Sequence, residues 1–271
     1  MSLSIVARLA EPRFAATCLA AVLLLGTGAC GGATEAETAE DLGDFVIQPA
    51  ELTSDKYDAL VAEMTANKVL EDIAEELNAT FILPEDIGLR FQECDEDNAY
   101  YDPEEKTISL CLEMFEAARE LMVDQYETAD DQEAAVNGSF LFTVYHEVGH
   151  ALVDAFDIPI TGREEDAVDQ LSTWWLIDND AGDQAAIAGA LSFYTDPESA
   201  ELDESDFSDE HSLNQQRFYN LTCWVYGSNP AEYQSLLEDE WLTPARAEQC
   251  EGEFETLNTS WYALLNDHLK A

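Results

Sequence analysis

Positive charge is what this chain most conspicuously lacks. Its 271 residues include 11 Lys and Arg against 58 Asp and Glu, a formal net charge of -47. Nucleic acid and anionic membrane surfaces both recruit proteins through Lys and Arg, so that deficit argues against either as a partner. The acidic excess instead reads as a strongly hydrated surface suited to salty surroundings. Histidine is also scarce, with only 4 in the chain, so any two placed close together carry weight. No C-x-x-C pair occurs, which speaks against a cysteine-built zinc knot. There is no internal repeat, which removes solenoids and other arrays. The longest apolar run, FAATCLAAVLLLG, falls short of the roughly 20 residues that a membrane-spanning helix needs. With 46% of residues hydrophobic, most of the chain should nevertheless fold around a core.

That apolar run follows Arg8 and Arg13 and precedes the small residues GTGAC, the layout of a secretory signal peptide over residues 1–29. Two processing readings stay open. Thr27-Gly28-Ala29 suits ordinary cleavage, whereas GAC-GG resembles a lipoprotein signal that makes Cys30 a lipidated first residue. Thr27 stands where such a signal usually carries an aliphatic residue. Cys18 would be removed with the signal, leaving Cys94, Cys111, Cys223 and Cys250 as an even set for two disulfides, with Cys30 left over. The expectation is an exported lipoprotein of the cell envelope, touching membrane only through a lipid on Cys30, or otherwise a periplasmic or secreted protein. Residues 30–50, including GGATEAETAEDLG, read as a flexible acidic tether, and 51–271 as one folded domain.

Within that domain the patterning predicts an α+β fold. Helical spacing runs from Ser54 to Leu77; TFILP, IGLRFQEC and KTISLCLEMF read as strands. NAYYDPEEK, with its Asn, Asp and Pro, reads as the turn of a hairpin clamped by Cys94 and Cys111. A helix over FEAARELMVDQYE and an acidic loop at TADDQEA follow. The remainder is mainly helical, broken at Pro159, between Pro197 and Asp209, at Pro230 and at Pro244, with Cys223 and Cys250 stapling two late helices.

Two of the histidines fall in YHEVGHALVD, residues 145–154. Leu141, Val144, Val148, Ala151 and Leu152 form an apolar stripe at helical spacing, with Asn137 or Ser139 as a possible cap. On a helix His146 and His150 lie on one face and can bind one Zn²⁺, with Glu147 placed as general base toward a water. A third ligand is needed, and ITGREEDAVDQLSTWWL offers acids. Thr161 and Glu164 have capping-box spacing, which gives Glu164 a structural job. Glu165 is then favoured as ligand, with Asp169, four residues on, orienting a ligand histidine; Asp166 and Glu164 remain alternatives. His211 is the candidate donor to a developing oxyanion, with Arg217 and Tyr219 competing. Trp174 and Trp175 read as core residues and His268 as a surface residue.

YHEVGHALVD followed by GREEDAVDQ resembles the gluzincin branch of the zincin metallopeptidases. Together with NAYYDPEEKTISLC, DEHSLNQQRFYNLTCWVYG and RAEQC, the set is similar to a bacterial metallopeptidase family of largely unassigned substrate, over roughly residues 55–265. The resemblance implies a zincin-like fold, a small N-terminal sheet with its clamped hairpin packed on an active-site helix. It further implies zinc chemistry at His146, Glu147, His150 and Glu165, and a peptide or protein substrate. KTISLC would be an edge strand holding an extended peptide. An inactive zincin-fold binding protein, or an amidase acting on a non-protein envelope substrate, is the alternative.

Overall fold

The computed structural model describes residues 40–270 apart from 124, 178, 179 and 195–201. The signal-peptide reading and Cys30 lie outside the described residues. Among the described residues no helix is long and apolar enough to cross a membrane. The fold is mixed α+β, with one small sheet and a helical second half.

Four strands make the sheet: β1 (Phe45–Ile47), β2 (Ile87–Gln92), β3 (Ala99–Asp102) and β4 (Thr107–Cys111), in the order β1-β2-β4-β3. β1 runs parallel to β2 and β2 parallel to β4, while β3 and β4 are antiparallel. Three expectations change here. First, the hairpin is β3–β4, and the disulfide Cys94–Cys111 instead joins the chain just beyond β2 to the end of its parallel neighbour β4. Tyr100 and Tyr101 extend readily into a strand, so the turn is confined to the residues after Asp102, whose carboxylate accepts from the Glu104 and Glu105 amides. Second, β4 is interior and buried along its whole length, and the edge strand on its side of the sheet is β3. Third, the folded domain starts before residue 51: Phe45 is buried and pairs with Ile87, so the stretch expected as tether contributes β1.

Two helices, α1 (Asp58–Ala66) and α2 (Val69–Thr80), replace the single one expected. Lys68 between them adopts φ 58°, a left-handed conformation that no helix interior accommodates. α3 (Met114–Met122) leads into α4 (Ala129–Ala155), the central element. α4 begins well before Asn137: Thr128 caps it by accepting from the Asp131 amide, and Asp130 and Asp131 suit the positive end of the helix dipole. The expected acidic loop, residues 128–134, is therefore the N-cap and the opening turns of this helix. Its 27 residues span about 40 Å.

α5 (Glu164–Leu176), α6 (Asp180–Ser192) and α3 pack around α4, and the β3–β4 side of the sheet covers it from another direction. Gly149 permits the close approach of α5, since a Cβ there would lie 2.8 Å from the Val168 Cβ. The short α7 (Glu204–Ser208) precedes α8 (Asn214–Ser228), and α9 (Ser235–Glu238) precedes α10 (Pro244–Leu265). Cys223–Cys250 staples α8 to α10, as expected from the cysteine spacing. Trp175 stacks on Phe81 and Trp174 donates to Asn258, which makes both packing residues. His268 is half-buried and stacked on Phe156 rather than free on the surface.

Candidate metal centre

α4 turns His146, Glu147 and His150 toward a cleft of about 1220 Å³, bounded by β3, α3 and the first turn of α5. That first turn places Glu165 across from the histidines. Its Oε2 lies 3.1 Å from His146 Nε2 and its Oε1 lies 3.3 Å from His150 Nε2. His211, on the segment between α7 and α8, brings its Nε2 to 3.0 Å from Glu165 Oε2. Among the described residues, His146, Glu165 and His211 offer ligand atoms that all lie within 4.8 Å of one another. His150 approaches the other oxygen of the same carboxylate.

The outer faces of the rings are held as well. His146 Nδ1 sits 2.9 Å from Asp169 Oδ1, and His150 Nδ1 sits 2.8 Å from Glu164 Oε1. Asp169 is gripped in turn by Arg217, which donates from Nε at 2.8 Å and Nη2 at 2.7 Å. The Arg217 guanidinium also lies 3.7 Å over the Phe193 ring. Arg217 is thus a buried partner of Asp169 rather than a group free to face substrate.

The helix cap differs from expectation. Thr161 makes no capping box, since α5 starts at Glu164 with Arg163 as its N-cap and no side-chain cap bond. Glu164 therefore remains near the centre, as the partner of His150, while Asp166 turns away to accept from the Ser212 hydroxyl at 2.7 Å. Arg163, Asp209 and the Glu164–His150 contact were not legible in the sequence, because each depends on where α5 and the 209–212 segment meet.

Electrostatically the cluster is coupled. Burial works to raise the Glu165 carboxyl, but the three imidazoles outweigh it and hold the group far below the usual carboxylate range. Burial also works to lower His146, yet Asp169 and Glu165 prevail and raise it to about 9. Burial works to lower His150, but Glu165 and Glu164 raise it, and the Glu165 contact raises His211. Three imidazoles that converge on one carboxylate are equally a set of donors for a cation. Tetrahedral bonds of about 2.0–2.1 Å put neighbouring donors roughly 3.3 Å apart, close to the imidazole–carboxylate separations of 3.0, 3.1 and 3.3 Å here. The nitrogen and oxygen donor set thus fits a divalent ion.

Glu147 is buried, and the Tyr101 amide on the edge strand faces it. Burial pushes its carboxyl up, against the pull of both motif histidines. Tyr101 also donates its hydroxyl to Asp154 Oδ2 at 2.7 Å, and Lys106 Nζ reaches the same oxygen at 2.7 Å. These two contacts tie the β3–β4 hairpin to α4 one turn beyond His150. A family model described as "Putative metallopeptidase" matches residues 50–265. No curated protein and no solved structure matches the chain.

Proposed function

The chain belongs to this metallopeptidase family, and from that premise we propose that it is an exported zinc peptidase of zincin-like fold. The observation that carries the proposal is the convergence of His146 Nε2 and His150 Nε2 on Glu165, with Glu147 buried beside them on the same cleft. His146, His150 and Glu165 would hold the ion, and Asp169 and Glu164 would fix the two motif rings in the tautomer that presents Nε2. When bound, zinc supplies Lewis acidity, lowering the pKa of a water and polarising a carbonyl.

Glu147 is the proton carrier. Its raised carboxyl takes a proton from the attacking water and returns it to the leaving amine. His211 faces the same centre from the opposite wall and can donate to the developing oxyanion. β3 is a terminal strand of the sheet and lines the cleft, so the main-chain groups on its side away from β4 are suited to an extended peptide. Export is supported by two disulfides in a chain that opens on a signal-like segment.

The test is hydrolysis of an unfolded protein by the zinc-loaded chain, with and without chelator. Glu147→Gln should keep the ion and lose about 10²–10⁴-fold in rate. Chelator-resistant cleavage, no cleavage at all, or full activity in Glu147→Gln would each reject the proposal.

A further inference from the structure

An oxyanion donor needs only to face the substrate, yet His211 is closer in than that. We infer that His211 is a fourth protein ligand of the ion in the substrate-free chain, so that the site rests closed and opens when the 209–212 segment withdraws. The inference rests on the metal site proposed above.

Three observations support it. His211 Nε2 and His146 Nε2 approach the same oxygen of Glu165, at 3.0 and 3.1 Å. All three imidazoles are presented alike: each Nδ1 is taken by a carboxylate, Asp169 for His146, Glu164 for His150 and Asp209 for His211. Each Nε2 then points to the centre, the arrangement by which outer carboxylates orient metal-binding histidines. The placement is also built from both sides of Glu165. Arg163 donates to the carbonyls of Asp209, Glu210 and His211, and Ser212 donates to Asp166, so the turn that carries the carboxylate ligand also holds the histidine.

His211 differs from the motif histidines in accessibility. Its side chain is 38% exposed, against 8% for His146, and the Arg163 contacts that hold its segment lie at the surface. Water can replace those hydrogen bonds, so His211 is the ligand able to leave. Two motif histidines, Glu165 and His211 complete a four-donor set, the closed arrangement of structural zinc sites. A peptide entering along β3 would displace His211, which then stands within reach of the carbonyl oxygen as a donor. The chain would be latent at rest and opened by its substrate.

The experiment uses zinc alone. The metal-free chain is titrated with zinc against a chromophoric chelator, and the loaded protein is measured by X-ray absorption at the zinc edge. Three imidazoles are expected in the unaltered chain. His211→Ala should show two, with an oxygen ligand in place of the third, and should bind zinc at least about tenfold more weakly. Arg163→Gln, which frees the segment without removing a donor, should weaken binding in the same direction by less. Two imidazoles in the unaltered chain, or affinity in His211→Ala within twofold of it, overturns the inference while leaving the peptidase site intact. If the unaltered chain binds no zinc, the underlying metal site falls as well.

Discussion

Asp169 serves two partners at once, orienting His146 through Nδ1 and neutralising the buried Arg217. With both ion-pair partners nearly inaccessible, removing the negative charge leaves Arg217 buried without compensation, which costs about 3–5 kcal/mol. Asp169→Asn should therefore lower stability by about that amount in urea unfolding, and weaken zinc binding by about 10–100-fold in a chelator titration. A loss of metal affinity without a loss of stability would show that Arg217 finds another partner. The Glu165–Asp169 pair was legible because spacing by four on a helix places both acids on one face. Arg217 lies 48 residues from Asp169 in sequence, and nothing local connects them. Glu164 was misread for a related reason: a capping box is a matter of local pattern, whereas its contact with His150 depends on how α5 crosses α4.

At the scale of elements, the β3–β4 hairpin must stay against α4 for the Tyr101 amide to meet Glu147. Asp154 holds it there, through Tyr101 and Lys106. Burial works to raise the Asp154 carboxyl, but those two hydrogen bonds outweigh it and hold the group below its ordinary 3.8. Contact with Asp154 raises the Lys106 ammonium above its ordinary 10.5. The contribution of Asp154 is therefore complete above pH 3.8 and is lost as pH falls through its lowered folded value; that of Lys106 is complete below 10.5 and is lost as pH rises through its raised one. Asp154→Asn should destabilise by only about 0.5–1 kcal/mol, because the pair is partly exposed. It should also speed hydrogen exchange across Ala99–Asp102 near neutral pH, and the stability difference from the unaltered chain should vanish in acid. An undiminished difference in acid would assign the tie to another group. The central helix was legible in the sequence because a 3.6-residue apolar period leaves little choice. The sheet was not: Asn, Asp and Pro mark a turn, but they do not say that the tyrosines between them pair with β4, nor that β2 and β4 run parallel.

The whole molecule carries a large excess of negative charge, and its few cations are placed as ties. Arg90 bridges Glu51 and Glu105, Arg246 pairs with Glu253, and Lys270 binds both Asp41 and the Asn78 carbonyl, clasping the two ends of the described chain. Self-repulsion among the remaining acids opposes compaction and is screened by salt. The Debye length falls from about 30 Å at 0.01 M to about 3 Å at 1 M, so the melting temperature should rise over that interval of sodium chloride. A melting temperature that falls with salt would mean that the cation ties outweigh the repulsion. The acidic character was plain in the composition; which acids the cations reach was not, since Lys270 and Asp41 meet only when the chain ends are brought together.

The central claim is that Glu165 completes a metal site begun by His146 and His150, and the zinc content of the purified chain tests it most directly. Elemental mass spectrometry should find about one zinc ion per chain, and Glu165→Ala, folded by circular dichroism, should lose it. A metal-free chain under zinc-replete conditions, or full zinc occupancy in Glu165→Ala, would contradict the account.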